Sequence, residues 1–410
     1  MQYTRFWHPG MGKMGSSRLL VDLTDLLFFS GLSPNPTGIQ RVQLDVFPQL
    51  QGLFPSIHAV YFDSIRGIYR SLDLERILAG DRDFSHIVGF ASRKLHWRAF
   101  QWIWPGAPSL GAEVPVAKDD IIYIAGSGWI PRRRHTTLKH LSSKGVKLVW
   151  MCFDLVPVNR PAAKKKRNSS STRFGNWLES AIHDKGKFIC ISDHVRDSLA
   201  GYAAAMGETV NAVSVPLAHE FRFEEKPVSD KAAKLIGQDY VLYVSSLGLR
   251  KNHLSLLKSW QRLAAVHGEK LPKLVLAGSR WKESNIFPFL KQTRWLDGKV
   301  AHVSGLADAD IAALYRNCRF TVYPSLNEGW GLPVGESLWM GKPCVCADNS
   351  SLPEVGGKWV TYFRADDLAS MDAALERALR GEFDGMPPAR SELRTWDKVA
   401  AEIAREVVSA

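Results

Sequence analysis

The 410-residue sequence predicts an α/β chain made of two parallel-sheet domains. Its length exceeds what one ordinary core accommodates. Short runs of Val, Ile and Leu alternate with longer segments of helical period, as in strands buried on both faces and joined by right-handed crossovers. That alternation runs once to about residue 215 and restarts near residue 240. Two such series predict two Rossmann-like domains.

In the first series, strands are predicted over residues 18–23, 57–61, 121–125, 147–151, 187–191 and 212–215. Helices are predicted over 38–51, 136–144, 174–185 and 193–206. After the restart, strands are expected over 240–245, 273–277, 300–303, 319–323 and 343–347, with helices over 253–267, 309–316, 334–340 and 366–380. Between the series, residues 219–231 (HEFRFEEKPVSDK) are charged, poor in aliphatics and hold a proline, so they are expected to form a hinge. The domains are therefore placed at 1–220 and 221–390. In the remaining 391–410, Trp396, Val399, Ile403 and Val407 share one face of an amphipathic helix expected to pack back toward the first domain.

Composition narrows the class. The chain is 45% hydrophobic and 23% charged, as in a soluble globular protein. It carries 53 Lys and Arg against 41 Asp and Glu, a formal net charge of +12, which favours anionic partners or a solvated basic surface. Five cysteines (Cys152, Cys190, Cys318, Cys344 and Cys346), none in a Cys-x-x-Cys pair, argue for reduced structural thiols in the cytoplasm. No apolar run approaches the ~20 residues needed to span a bilayer. Residues 1–17 lack the apolar core of a secretory signal. Membrane contact is thus expected to be peripheral.

The most informative stretch is YPSLNEGWGLPVGESL (323–338), which follows an apolar strand and leads into a helix opened by Pro333. It delivers Glu328, Gly329, Trp330, Gly331 and Leu332 to the carboxyl end of a parallel strand, where open α/β sheets bind ligands. Gly329 and Gly331 let backbone approach a ligand. The amides of Leu332, Val334 and Gly335 are expected to meet an anion from the helix N-terminus. Glu328 and Glu336 stand eight positions apart, suiting one for sugar hydroxyls and the other for a ribose diol. VSSLGLRKNH (244–253) ends another strand, and its Arg250 and Lys251 suit a diphosphate whose charge grows as a glycosidic bond breaks.

These residues carry a resemblance. Glu-x7-Glu within EG-aromatic-GLP-x-x-E resembles the signature of the family 4 retaining glycosyltransferases, which have the GT-B fold, two Rossmann-like domains facing a central cleft. LVLAGS (274–279), VSGLADADIAALY (303–315) and GKPCVCADNSSLPEVGG (341–357) resemble its donor domain in order and spacing. The resemblance implies that Glu328, Lys251 and Arg250 are catalytic. It places Gly38, Ser246, Asn252, Gly278, Gly329, Trp330, Gly331, Leu332, Val334 and Glu336 around a nucleotide diphosphate sugar. Lys251 matches the phosphate-binding lysine. Ser246 stands where many relatives place an arginine, with Arg250 as the substitute.

On the acceptor side, PNPTGIQRV (34–42) resembles the family's glycine-rich loop, with Thr37 as N-cap, Gly38 for close approach and Arg41 for acceptor or phosphate contact. MCFDLVPVN (151–159) has Phe153 where relatives place a histidine, leaving Asp154 to position an acceptor hydroxyl or organise its loop. Ser192 reads first as a helix N-cap, in a loop the family places beside the cleft. RRRH (132–135), after the GSGW turn at 126–129, KKKR (164–167) and KLHWRAFQWIWP (94–105) form either a basic, aromatic surface for a polyprenyl-diphosphate-linked acceptor at an anionic membrane, or exposed loops plus a packed tryptophan cluster. Nucleic-acid binding is not expected, since no recognised motif for it appears.

The resemblance further implies retention of configuration by front-side attack, with no cofactor and no catalytic metal. Asp308 and Asp310 have Asp-x-Asp spacing but open a helix and read as capping residues. GDP-mannose is the favoured donor, because RKNH after SSLG resembles bacterial mannosyltransferases of surface polysaccharide and lipopolysaccharide assembly. GDP-fucose, UDP-glucose and UDP-N-acetylhexosamine remain open. A nicotinamide oxidoreductase is disfavoured because the one G-x-G-x-x-G (10–15) precedes the first strand. A non-catalytic sugar-nucleotide-binding subunit is disfavoured because Glu328, Lys251 and Glu336 are all present. The expected location is the cytoplasm, at the inner face of its membrane if the acceptor is lipid-linked.

Overall fold

The computed structural model describes residues 17–30, 38–64, 66–73, 111–130, 132–156, 170–280, 284 and 286–410. Thr37, the 10–15 glycine motif, and the 94–105 and 164–167 stretches lie outside the described residues. The chain divides into two compact units, one of Met1–Pro216 with Trp396–Ala410 and the other of Leu217–Thr395. Among the described residues no helix is long and apolar enough to cross a membrane.

In the first unit the strands are β1 (Leu19–Asp22), β2 (Ile57–Asp63), β3 (Ile68–Ser71), β4 (Ile121–Ile124), β5 (Lys147–Cys152), β6 (Lys187–Cys190) and β7 (Asn211–Ser214). Its helices are α1 (Thr24–Ser30), α2 (Gly38–Leu53), α3 (Arg132–Ser143), α4 (Ser170–His183) and α5 (Asp193–Ala205). The described strands form one sheet in the order β3-β2-β1-β4-β5-β6-β7, parallel except for β3. The central strands are apolar and buried, as in LLVD, IIYI and KFIC, because helices must cover both faces of a parallel sheet. The C-terminal helix, Trp396–Val408, belongs to this unit and packs on α2. It buries Trp396, Val399, Ile403 and Val407, each worth about 1.5–3 kcal/mol over exposure. Lys187 Nζ holds its far end through Glu406 Oε2 and Ser409 Oγ, both at 2.7 Å.

The second unit repeats the plan with β8 (Tyr240–Val244), β9 (Lys273–Ala277), β10 (Val300–Val303), β11 (Thr321–Tyr323), β12 (Cys344–Ala347) and β13 (Thr361–Phe363), ordered β10-β9-β8-β11-β12-β13 and parallel throughout. Its longer helices are His253–His267, Asp308–Asn317, Leu332–Trp339 and Leu368–Leu379. In each sheet, chain order runs outward in both directions from a central pair, β1/β4 in the first and β8/β11 in the second. Connections therefore leave that pair on opposite faces and open a crevice at its carboxyl ends.

Three expectations need correction. Residues 219–231 are not a hinge: His219 and Phe221 are 4% and 2% exposed inside the second unit, and Asp230–Ile236 is helical. The unit boundary falls instead between residues 216 and 217. Residues 132–135 are not a uniformly exposed basic run. Arg134 is 1% exposed and forms an ion pair with the buried Asp22, its Nη1 lying 3.1 and 3.0 Å from the two carboxylate oxygens. The amide of Val334 is not left for an anion, because it donates to the Gly331 carbonyl at 2.9 Å.

Other expectations hold. All five cysteines are buried and free. Ser192 caps α5, accepting from the Val195 amide at 3.1 Å. Asp310 acts as a cap in two places, taking the Ala307 amide of its own helix at 3.3 Å and the Ser229 amide before Asp230–Ile236 at 2.8 Å.

Candidate active site

The connection after β8 becomes a tight turn, Leu249–Lys251, then enters the helix His253–His267 through Asn252. Asn252 holds φ 56, a left-handed conformation that Asn tolerates better than most residues. Beneath the turn, Tyr243 donates its hydroxyl to the Lys251 carbonyl at 2.6 Å and stacks on His253, with ring centroids 4.5 Å apart. The connection after β11 meets this turn directly: the Leu326 amide donates to the Arg250 carbonyl at 2.9 Å. Two loops 77 residues apart in sequence are thus fastened together at the switch point of the second sheet.

Glu328 sits where they meet. Lys251 Nζ lies 2.5 Å from its Oε1 and Arg250 Nη1 lies 2.6 Å from its Oε2. Ser325 and Tyr323 donate their hydroxyls to Oε1 at 2.5 and 3.1 Å. Lys251 also donates to the Tyr323 hydroxyl at 3.0 Å, and Arg250 to the Asn327 carbonyl. The main chain of Glu328 is pinned by hydroxyls of a third loop. Ser350 accepts from its amide at 3.0 Å, and Ser351 donates to its carbonyl at 3.0 Å.

Burial alone would raise the Glu328 carboxyl. Lys251 and Arg250, with the Ser325 hydroxyl, outweigh that and hold it at about 2. The His253 imidazole is pushed the other way, to about 3, by burial and the neighbouring Lys251 charge, so it stays neutral. The site therefore combines one ionised carboxylate with two cations paired to it. Because the folded-state value of Glu328 lies below the ordinary 4.5, its contribution to stability is present above that value and is lost as pH falls through about 2. The urea midpoint of the wild type should consequently fall more steeply than that of Glu328→Gln between about pH 5 and 3. Parallel slopes would mean the carboxylate carries no such linkage.

The other expected donor residues surround this core in sequence and differ in role. Gly331 holds φ 110 at the N-cap of Leu332–Trp339, and a Cβ there would come within 2.6 Å of Leu352 Cδ2. Trp330 is 3% exposed and Gly329 is buried. Leu332 is half-buried on the first turn of that helix. Glu336, 3% exposed, accepts from the Tyr315 hydroxyl at 3.0 Å. A Cβ on Gly278 would stand 1.9 Å from the Ser245 carbonyl oxygen, so glycine is required there for the loops after β8 and β9 to lie together. Ser246 accepts the Gly248 amide at 2.8 Å within the same loop.

In the first unit, Gly38 opens α2 and Arg41 lies half-buried on it. Asp154 accepts from the Val156 amide at 3.1 Å and so organises its own loop. The GSGW turn closes around an internal carboxylate: a Cβ on Gly126 would fall 2.0 Å from Asp25 Oδ1. Motif reading missed Tyr243, His253, Tyr323, Ser325, Ser350 and Ser351. Tyr323, Ser325 and both late serines lie inside stretches that the resemblance covers, so position in the motif was the available signal.

Comparison with known proteins finds a match over the segment that carries this cluster. Residues 226–393 match the family described as Glycosyl transferases group 1, and Arg250, Lys251, Glu328 and Glu336 all fall inside that segment. That match takes in most of the second unit. Among curated relatives, O-antigen chain mannosyltransferase B of Escherichia coli is 32% identical over 149 residues, covering 36% of this chain and 39% of that one. The serotype-specific mannosyltransferase WbdA of Escherichia coli is 25% identical over 244 residues, covering 58% of this chain and 29% of that one. The matches thus span less than half the length of these curated relatives. Among solved structures, the sucrose-phosphate synthase of Thermosynechococcus elongatus superposes with a TM-score of 0.58 at 14% identity, covering 95% and 94% of the two chains. The Anabaena protein HepE in complex with UDP and glucose gives 0.54 at 15%, covering 96% of each. At such identities the likeness is one of fold, and that fold is GT-B.

Proposed function

We propose that the chain is a retaining glycosyltransferase that moves a hexose from a nucleotide diphosphate sugar, GDP-mannose foremost, to a glycan or lipid-linked glycan in surface polysaccharide or lipopolysaccharide assembly. The observation that carries this reading is the Arg250–Lys251–Glu328 cluster at the switch point of a group 1 glycosyltransferase domain. Mannose is favoured because several relatives, including the MMP α-(1→4)-mannosyltransferase of Mycolicibacterium hassiacum at 34% identity over 108 residues, are named as mannosyltransferases. A lipid-linked acceptor would bring the basic chain, with its formal charge of +12, to an anionic membrane face.

In the proposed step, the acceptor hydroxyl oxygen bonds to the anomeric carbon on the face from which the diphosphate leaves. The carbon–oxygen bond to phosphate breaks with its electron pair going to the phosphate, and the hydroxyl proton passes to that phosphate oxygen. Lys251 and Arg250 stabilise the growing negative charge. Glu328 orients the hexose through its hydroxyls, and Glu336 meets the ribose. Incubation with GDP-mannose, GDP-fucose, UDP-glucose and UDP-N-acetylglucosamine tests this reading, with released nucleotide as the readout. Turnover is expected with GDP-mannose above the others. Absence of turnover with every donor, alongside tight binding of one, would sink the enzymatic reading.

A further inference from the structure

Glu328 is paired with two cations at once. Its carboxylate takes Lys251 Nζ at 2.5 Å and Arg250 Nη1 at 2.6 Å while its side chain is only 8% exposed. These cations are the groups assigned above to the donor diphosphate. Lys251 Nζ already donates to Glu328 and Tyr323, and Arg250 Nη1 donates to Glu328 and the Asn327 carbonyl. An incoming phosphate therefore competes with the carboxylate for these hydrogens and for the positive charge behind them. The internal group also has the advantage of an intramolecular partner, which acts at high effective concentration.

We propose that Glu328 is a built-in competitor for the phosphate seat: the donor displaces it, and its return after sugar transfer drives release of the nucleoside diphosphate. This rests on the reading of the site as a nucleotide-sugar site. An intact donor compensates the displaced carboxylate, because hexose hydroxyls donate to it in place of the cations. Once the hexose has moved to the acceptor and left, a nucleoside diphosphate offers the carboxylate nothing. A buried charge without a partner is costly, so Glu328 reclaims Lys251 and Arg250 and the product's hold weakens.

The local architecture suits such an exchange. Ser350 and Ser351 fix the Glu328 main chain, Tyr243 fixes the Lys251 carbonyl, and the Leu326 amide ties the loops through the Arg250 carbonyl. The Tyr323 hydroxyl and the Asn327 carbonyl give Lys251 and Arg250 anchors that do not depend on the carboxylate. The exchange is then a rotation of one side chain, with no loop movement.

Calorimetric titration of GDP, UDP and inorganic pyrophosphate into the full chain tests this in the wild type, Glu328→Gln and Ser325→Ala. Glutamine keeps the shape of the side chain and removes its charge. Glu328→Gln should bind the preferred nucleotide and pyrophosphate about tenfold tighter or more, while turnover of the hexose donor falls. Ser325→Ala removes a hydroxyl that supports the carboxylate in its seat, so it should tighten nucleotide binding by roughly two- to threefold. Equal or weaker binding by Glu328→Gln would overturn the proposal, leaving Glu328 as a group that merely holds the cations in place. Should that variant fail to fold by circular dichroism, the direction of the Ser325→Ala shift decides. If no form binds GDP or UDP but Glu328→Gln still tightens pyrophosphate, the competitor role stands and the nucleotide-sugar reading falls.

Discussion

Lys251→Ala is expected to lower kcat by about 10²–10³-fold while raising the donor KM far less. The ammonium is paired with Glu328 at 2.5 Å before any substrate arrives. The Tyr323 hydroxyl at 3.0 Å and, through the Lys251 carbonyl, Tyr243 at 2.6 Å hold it in place once the donor has taken the carboxylate's seat. Preorganised charge contributes most where charge develops, and here it develops on the departing diphosphate in the transition state. Ground-state binding retains Arg250 and is affected less. Steady-state kinetics over a range of donor concentrations separates the two effects. A raised KM with unchanged kcat would reduce Lys251 to a binding group and remove it from the chemical step. The substitution also leaves Glu328 with one cation in place of two, so a thermal melt of the variant belongs beside the kinetics.

The parts of this site that were legible in the sequence are those whose chemistry is local. Glu328 and Lys251 announce themselves through glycines, a helix-opening proline and apolar strands immediately before them, because a carboxyl-edge loop needs those neighbours whatever the rest of the chain does. The β–α alternation was legible for the same reason, and β9 and β10 fall on the expected residues. The antiparallel β3 and the three-residue β13 were not foreseen, since IYRS is a short, partly polar segment and TYF is too short to show a period. What periodicity cannot show is which distant group answers a polar one. Charge and proline predict a hinge over residues 219–231, yet the His219 imidazole donates from Nε2 to the Val355 carbonyl, 3.0 Å away and 136 residues on, while its Nδ1 accepts the Arg394 amide. Ser350 and Ser351 support Glu328 from 22 and 23 residues downstream, a relation no local pattern encodes.

Arg134 is the sharpest instance of the same limit, and its replacement should have the largest effect on stability. Within RRRH it looked like one more surface cation. Its partner Asp22 lies 112 residues earlier, at the end of β1, and the two side chains are 1% and 0% exposed. Asp22 also takes the Tyr69 hydroxyl at 2.9 Å and the Thr24 amide at 2.9 Å, while Arg134 Nη2 reaches the Ser127 carbonyl at 2.6 Å. The guanidinium therefore ties the loop after β4 to the end of β1, the central pair of the first sheet. Arg134→Ala strands a buried carboxylate and should cost about 3–5 kcal/mol, read as a fall in the denaturant midpoint of the first unit. Most of that cost is the uncompensated charge, not the value of the pair. Asp22→Asn in the Arg134→Ala background should then restore part of the loss, because the residual carboxamide needs no counter-ion and can keep its hydrogen bonds. Strictly additive losses in the double variant would mean that the two side chains act independently, and that the guanidinium matters for packing alone.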